Sequence, residues 1–337
     1  MGLRTYIAKR LIATIAMVLI IICLNFLIFD LMPGNPMATF IQPGRIRDPA
    51  QLDAIRASFG LDQPTHIRFL IYAKNMLTFN FGISYWTQKT VASEISERLL
   101  NTLLLVGIST MLSIIIGVIV GVFAAYKRGT AFDSGSVLFS LSFYSLPSFW
   151  IGLLLLMTFG VYLHWFPIAG ATPREWGDPN LWPNGPPQWP QEWATILSGR
   201  LYHMALPVIT LTLFQVGGYI LLTRAVMLDT LTEDYITTAR AKGLKEHTVL
   251  FKHALKNASL PLITNIALSF GFLLTGAMLT EQVFTWRGMG WWIWNAIAQT
   301  DYPVLQAIFF IVALCVVGAN LIADLIYGII DPRIKYS

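Results

Sequence analysis

The chain has 337 residues, of which 55% are hydrophobic and only 12% are charged, with a formal net charge of +5. A soluble domain carries about 25% charged residues, so about half of the usual charge is missing. This composition excludes an ordinary water-soluble domain, because one core cannot bury so much apolar surface, and it indicates that lipid is the solvent.

Six apolar segments are each long enough, at about 20 residues, to cross a bilayer as a helix. We place them at 8–31, 99–126, 135–163, 203–228, 261–285 and 303–330. Cys23 and Cys315 fall inside two of these spans, where a free thiol behaves as a small hydrophobic group. The sequence therefore predicts an all-α integral membrane protein with six transmembrane helices.

The distribution of Lys and Arg sets the predicted orientation, because short cytoplasmic loops collect positive charge. The short outer loops 164–202 and 286–302 hold only Arg174, Arg200 and Arg287 out of 23 basic residues. More than half of the basic residues lie in the segments that would be inside if the N-terminus is inside. We therefore predict that both termini are cytoplasmic, including the tail 331–337.

Segment 32–98 lies between the first predicted span (domain 1–31) and a five-helix core (99–330), and it has helix signals of its own. Asp48-Pro49 would begin a helix that Gly60 closes. A second apolar run extends from Pro64 to Thr78, and a third begins near Thr90 and leads into the second span. We predict a helical extracytoplasmic cap domain.

Outer loop 164–202 contains a stretch at 172–195 that is rich in Pro and Trp and lacks periodicity. Its tryptophans suit the headgroup layer of a membrane, where amphipathic rings are enriched. Both an ordered lid and a simple aromatic anchor fit this composition. The residues concerned are Trp176, Trp182, Trp189 and Trp193.

Polar residues inside the spans should face protein or water, because each costs free energy in lipid. These pore or packing candidates are Asn25, Asn101, Gln215, Asn265, Asn320 and Asp324. Asp324 lies near the inner end of its span, where pairing with a loop cation competes with a pore role.

Glycine and proline positions add packing expectations. The pair Gly117 and Gly121 forms a GxxxG pattern that favours close helix packing over substrate contact. Pro147 predicts a kink in the third span. Gly217-Gly218 is compatible with flexibility or with close packing.

The predicted inner loop 229–260 has the pattern of a helix, a glycine and a second helix. Thr230 and Glu233 match a capping box, and Gly243 would end the first helix in a left-handed conformation. Leu260-Pro261 opens the fifth span. The second helix would carry one apolar side, formed by Leu250, Phe251, Ala254, Leu255 and Ala258, with Lys245, Lys252 and Lys256 mainly on the other.

Two interpretations of this loop compete. A basic amphipathic hairpin could rest on anionic lipid. Alternatively, Ala239, Ala241 and Gly243 form a surface of small residues that allows close approach, which lipid binding does not require. These small residues favour a protein partner.

The sequence contains no recognisable motif for catalysis, metal binding or nucleotide binding. There is no G-x-x-x-x-G-K-[ST] phosphate loop, the five His are scattered without metal-ligand spacing, and no active site is visible. We therefore expect no catalytic residues, no metal, no nucleic acid partner and no ATP site on this chain.

At this point the residues resemble a known family, the permease subunits of binding-protein-dependent ABC importers, in the oligopeptide/dipeptide branch. The inner loop is similar to the family's coupling motif, with Thr237-Thr238-Ala239 where the general motif has Glu-Ala-Ala. Similar sequences elsewhere are Pro33-Gly34-Asn35-Pro36, Gly60-Leu61-Asp62-Gln63-Pro64, Phe81-Gly82-Ile83-Ser84, Asp301-Tyr302-Pro303 and Asp331-Pro332-Arg333. The resemblance covers essentially the whole chain.

The resemblance implies a non-catalytic pore subunit in the cytoplasmic membrane of a bacterium or archaeon. It implies a second homologous permease subunit, two cytoplasmic ATPase subunits that hold ATP and Mg, and an extracytoplasmic substrate-binding protein. ATPase-coupling residues carried over from the motif are Tyr235, Ala239, Arg240, Ala241, Lys242, Gly243, His253, Leu260 and Pro261.

Peptides are the expected substrate, while nickel, glutathione or an oligosaccharide are alternatives within the same family. A stand-alone secondary transporter or channel is a different class, but it would favour ionisable residues near span midpoints and a repeat between halves. A membrane enzyme would need catalytic groups clustered on one face. Neither pattern is evident in the sequence.

Overall fold

In a computed structural model, residues 3–31, 63–172, 191–272 and 277–330 are described. Within these ranges the regular structure is helical, apart from one isolated antiparallel bridge between Ile83 and Thr90. The predicted helix after Asp48-Pro49, the side chains of Trp176, Trp182, Trp189 and Trp193, and the tail 331–337 lie outside what is described.

The described ranges contain twelve α-helices and two π-helical segments. One π-helical segment, Leu156–Tyr162, continues the helix that ends at Leu155, and the other, Val249–Ala254, precedes the helix that begins at Leu255. In chain order the α-helices are α1 (Leu3–Leu31), α2 (Thr65–Leu77), α3 (Val91–Tyr126), α4 (Ala131–Tyr144), α5 (Ser148–Leu155), α6 (Gln191–Leu231), α7 (Asp234–Ala241), α8 (Glu246–Thr248), α9 (Leu255–Phe272), α10 (Met278–Val283), α11 (Met289–Ala298) and α12 (Tyr302–Ile330).

Three of the described helices are long and apolar enough to cross a membrane, over Ile7–Asp30, Val91–Tyr126 and Ala194–Leu231. A fourth candidate results if α4 and the segment Ser148–Tyr162 are counted as one bent span. The prediction of an all-α protein with membrane-spanning helices is confirmed. Six spans, and the side of the membrane on which each terminus lies, stay predictions.

Several helix boundaries in the structure differ from the predicted ones. The helix predicted from Pro64 to Thr78 is present as α2, and the run predicted to begin near Thr90 continues into α3 without a break. However, α6 begins at Gln191, so outer loop 164–202 is helical from that residue onward, because polar residues that lower hydropathy do not interrupt the helix. The fifth predicted span, 261–285, coincides with two helices, α9 and α10, rather than one.

The third predicted span is broken, not merely kinked, near Pro147. Helix α4 ends at Tyr144, and α5 starts at Ser148 with an angle of 98° between the two parts. Pro147 is the N-cap of α5 with extended backbone (φ −61°, ψ 136°). Proline also disfavours helical geometry in the residue before it, Leu146, and this explains why the change of direction exceeds a kink.

The chain divides into two compact units, each described here by itself. Unit 1 comprises 1–100 and 291–337, and unit 2 comprises 101–290. In unit 1, helix α1 packs on α12, and the Asn25 side-chain amide donates to the backbone carbonyl of Gln306 at 3.0 Å. The Phe26 ring lies 5.4 Å from Phe69 and 5.6 Å from Tyr72, so α2 packs on the same helix.

In unit 2, glycines set the distance between helices. A Cβ on Gly117 would collide with the Tyr219 Cβ, and one on Gly121 would lie 2.6 Å from the Thr223 Cβ. The predicted role of the GxxxG pair in helix packing, here of α3 on α6, is therefore confirmed. Gly217 is also at a close contact, because its Cβ would be 2.6 Å from the Ser140 carbonyl oxygen.

Candidate functional site

The candidate site is the coupling segment, defined here as residues 233–248, which follows α6 in unit 2. Its first helix, α7, begins after Glu233, whose extended backbone (ψ 144°) places it at the N-cap. Ile236 and Ala239 form the buried face of α7, at 0% and 6% exposure. Full burial of an isoleucine stabilises by about 2 kcal/mol, so the α7 helix is anchored rather than free.

The predicted capping box is wrong. Thr230 lies in the last turn of α6, where its hydroxyl donates to the Val226 carbonyl at 2.8 Å. Threonine often bonds to its own helix in this way, which removes it as a cap for the next helix. A turn at 232–233 then separates α6 from α7.

The end of α7 matches the prediction for Gly243. Gly243 has φ +73°, the left-handed region that glycine adopts without strain. Its N–H donates to the Arg240 carbonyl at 2.9 Å, and the Leu244 N–H reaches the Ala239 carbonyl at 3.4 Å. These two bonds form a Schellman motif, which satisfies carbonyls that the helix end leaves open.

The second predicted helix is also present, and its apolar side is the one expected. Leu250, Ala254 and Ala258 are buried, and Phe251 and Leu255 pack partly buried against them. They share a hydrophobic cluster with Ile236 and Ala239 of the coupling segment and with Val122, Ala125 and Met227 from the ends of α3 and α6. The coupling segment is therefore seated on the ends of two long helices.

The opposite face of the coupling segment is exposed and carries mixed charge. Tyr235 and Leu244 are large apolar side chains left 37% and 39% exposed. Arg240 donates to the Glu246 carboxylate at 2.7 Å and thereby bridges α7 and α8 across the glycine turn. That hydrogen bond raises the pKa of the Arg240 guanidinium, so its charge is held firmly at the surface.

The small-residue surface predicted for this segment needs correction. Ala239 faces the buried cluster, whereas Ala241 and Gly243 are exposed, so the three do not share one face. The helical period separates positions 239 and 241 by about 200°, which explains the mismatch. The exposed face combines Ala241, Gly243 and Leu244 with Tyr235.

The remaining predicted coupling residues have different positions. Lys242 is exposed, and His253 is half-buried within the π-helical segment. Pro261 lies inside α9 instead of opening the fifth span, because the helix already begins at Leu255. For Leu260 only the backbone, which is helical, is described.

The polar pore candidates separate into packing residues and exposed residues. Buried Asn25 binds the Gln306 carbonyl, Gln215 accepts a bond from Thr110 at 3.0 Å, and the Asn101 amide donates to the Arg287 carbonyl at 2.9 Å. These three contacts join helices or a helix and a turn. Asn265 and Asn320 are exposed. The Asp324 side chain lies outside what is described.

Within the described ranges, sequence reasoning missed the long-range partners of three buried carboxylates. Asp133 binds Arg224, Glu281 accepts from the Thr102 hydroxyl at 2.8 Å, and Asp301 accepts from the Ser84 hydroxyl at 2.5 Å. A carboxylate beside or within an apolar run was the available signal, because such a group is almost never buried without a partner. From its place in the sequence, Arg224 is only one more cation at the end of a span.

Comparison with known families fits this architecture. The family model described as binding-protein-dependent transport system inner membrane component matches residues 117–336, and the model of the N-terminal part of such membrane components matches 3–106. The chain belongs to this family of multi-pass membrane proteins. The resemblance to permease subunits of the oligopeptide/dipeptide branch is confirmed.

Curated relatives are similar over almost their whole length. The chain is 38% identical over 332 residues to the oligopeptide transport system permease protein AppB of Bacillus subtilis (strain 168), covering 98% of this chain and 99% of that protein. It is 36% identical over 340 residues to the di/tripeptide transport system permease protein DppB of Pseudomonas aeruginosa (strain UCBPP-PA14), covering 99% of each.

Proposed function

We propose that this chain is a pore-forming permease subunit of an ATP-driven ABC importer that carries peptides across the cytoplasmic membrane of a bacterium or archaeon. The observation that carries the proposal is the coupling segment, an exposed helix and turn seated on a buried cluster. The names of the relatives support a di- or oligopeptide as substrate. The chain itself is proposed to be non-catalytic.

In this proposal the chain works within a larger assembly. A second homologous permease completes the pore, an extracytoplasmic binding protein delivers the peptide, and two cytoplasmic ATPases hold ATP and Mg. Six spans with both termini in the cytoplasm would place the coupling segment on the ATPase side. The description of the matched family as binding-protein-dependent supports this set of partners.

The packing of the coupling segment suits the transmission of force. An ATPase would contact the exposed side, where Tyr235, Arg240 and Leu244 lie. On the buried side, Ile236 and Ala239 contact the cluster that includes Val122 and Met227. Displacement of the segment would therefore move the ends of α3 and α6 instead of only bending a loop, and nucleotide could shift the pore between two states.

Gly243→Asp provides the test. A Cβ at Gly243 meets no atom within 4 Å, so the substitution should cost only about 1 kcal/mol of backbone strain and leave the fold intact. The added carboxylate would project from the exposed face. We expect ATPase subunits to copurify poorly with this variant and peptide uptake to be lost.

Two controls separate the possible explanations. Gly170 also has a positive φ, +89°, and Gly170→Asp introduces similar strain far from the coupling segment in sequence, so ATPase copurification should persist. Lys252→Gln removes a positive charge from the exposed side of the second helix. Normal uptake in Gly243→Asp together with loss in Lys252→Gln would contradict the proposal and favour a segment that merely rests on anionic lipid.

A further inference from the structure

A bidentate ion pair joins α4 to α6 within unit 2. Arg224 donates to both oxygens of the Asp133 carboxylate, through Nε at 2.5 Å and through a terminal nitrogen at 2.9 Å. The Gly129 N–H donates to the same carboxylate at 2.9 Å. Asp133 is only 4% exposed, so its charge depends on these partners. We call the pair Asp133–Arg224 the fork.

The fork lies close to the candidate site along the chain. Arg224 is seven residues before Leu231, the last residue of α6, which is about 10 Å along a helix. Only a short turn separates Leu231 from α7. Movement of the coupling segment therefore reaches the fork through one rigid element.

Helix α4 is held to α6 along its whole length. Seven residues from the fork on each helix, Gly217 meets the Ser140 backbone, where even a Cβ would be only 2.6 Å away. The neighbouring Gly218 faces Tyr144, the last residue of α4, and a Cβ on Gly218 would lie 3.5 Å from the Tyr144 ring. The equal steps of seven place the fork and the contact between Gly217 and Ser140 on one face of each antiparallel helix.

Beside its contact with α6, α4 is separated from α3 by open space. A cavity of about 370 Å³ lies between α3, α4 and α6, and Gly135, Ser136 and Phe139 line it from α4. The Ser136 hydroxyl is bonded to the Phe132 carbonyl of its own helix, so it offers no tie to α3. The position of α4 therefore depends on its contacts with α6.

Helix α4 leads directly to the 98° break at Pro147. We propose that Asp133 and Arg224 are positioning residues that make α4 follow α6, so that displacement of the coupling segment is delivered to this break. This inference rests on the proposed function. In this inference α4 and α5 move, and the fork connects them to α6 and the coupling segment, which the ATPase displaces.

The test uses the complete importer in proteoliposomes, with labelled di- and tripeptides as the probe. Asp133→Asn and Arg224→Gln should each lower uptake at least 10-fold, while ATPase copurification and ATP hydrolysis stay within two-fold of the wild type. The double variant should lose no more than either single variant, because the two groups act as one unit. Arg128→Gln removes an exposed charge from the neighbouring loop and should leave uptake unchanged.

Each contrary result is distinct. Uptake within two-fold of the wild type in both single variants would overturn the inference, and so would losses that multiply in the double variant. If ATPase copurification, ATP hydrolysis and peptide uptake all fall together in the single variants, the ion pair only stabilises the fold, and the inference is wrong. A wild-type complex without ATP-dependent uptake would instead overturn the proposed function, and the role of the fork in coupling with it.

Discussion

The polar contacts of the coupling segment are local in sequence, whereas most of those that hold the buried Asp301 carboxylate in unit 1 are distant. In the coupling segment, Gly243 bonds to Arg240, and Arg240 bonds to Glu246, so each polar partner is within six residues. In unit 1, Asp301 accepts bonds from the Ser84 hydroxyl and from the N–H groups of Tyr85 and Trp86, more than 200 residues away in sequence. The Val304 N–H is its one local donor among these groups.

The two sets of polar groups also differ in their exposure to water. Arg240 and Glu246 keep 43% and 33% of their side-chain surface in water, whereas Asp301 is fully buried. Burial raises the pKa of the Asp301 carboxyl, and the hydrogen bonds from Ser84 and from the Tyr85 and Trp86 backbone oppose that shift. Local polar contacts here shape an exposed surface, while mostly distant ones hold a buried carboxylate.

The largest loss of stability is expected at a glycine where two helices pack so closely that no side chain fits between them. Gly121→Leu would place a Cβ 2.6 Å from Thr223 and 2.8 Å from the Ile220 carbonyl oxygen, which must force α3 and α6 apart. We expect a loss of about 3 kcal/mol or more. The measurement is the yield of monodisperse protein after extraction in detergent.

Gly107→Leu is the matched control for that experiment. Gly107 is in the same helix, and a Cβ there meets nothing within 4 Å. Its yield should equal that of the wild type. Equal yields for Gly107→Leu and Gly121→Leu would show that the contact between α3 and α6 does not limit folding.

Asp301→Ala is expected to have the next largest effect. It leaves the Ser84 hydroxyl and the backbone N–H groups of Tyr85, Trp86 and Val304 without their acceptor. Water that enters the space of the lost carboxylate should satisfy most of them, so we expect a loss of about 1–3 kcal/mol, the cost of one buried group left unsatisfied. Asp301→Asn should cost less, because it keeps an oxygen acceptor without a buried charge. Thermal unfolding in detergent checks both variants.

The exposed carboxylate Glu97 in α3 provides the comparison for Asp301. Glu97→Ala should change the unfolding midpoint little, since exposed side chains away from special contacts contribute within about 0.5 kcal/mol. If Asp301→Ala is as stable as Glu97→Ala, then distant buried contacts do not fix this unit, and the contrast with the coupling segment fails.

The same contrast explains how much the sequence could predict. The left-handed turn at Gly243, the apolar side of the second helix and the packing role of Gly117 and Gly121 follow from spacing along one helix or turn, and the structure confirms them. Such signals need no knowledge of which helices meet. Thr230 misled because its pattern fits a cap, yet its hydroxyl bonds within α6.

Residue pairs that are distant in sequence could not be predicted, because their pairing depends on which helices meet. Asp133 and Arg224 are 91 residues apart, and Thr102 and Glu281 are 179 apart. Periodicity assigns a face to each residue but does not pair the faces of two helices. Pro147 is an intermediate case, because its local effect predicts a bend, while the angle of 98° depends on how α4 and α5 pack.

The smallest effect is expected for the local ion pair in the coupling segment. Arg240→Gln and Glu246→Gln should each lower the free energy of unfolding by about 0.5 kcal/mol or less, because exposed pairs gain little and lose it in salt. Each substitution removes one charge from the same pair, so each is a control for the other. The Gly243 turn should persist in both, since its two backbone hydrogen bonds do not involve the side chains.

A double-mutant cycle on this pair gives the decisive measurement. Unfolding midpoints of the wild type, both single variants and the double variant in low salt should yield a coupling energy of about 0.5 kcal/mol, which about 1 M NaCl should abolish. If ATPase copurification falls in Arg240→Gln but not in Glu246→Gln, then Arg240 acts through the partner and not through the pair. A coupling energy of about 2 kcal/mol or more would make the exposed Arg240–Glu246 pair as strong as a buried contact. The contrast between the coupling segment and Asp301 would then be wrong.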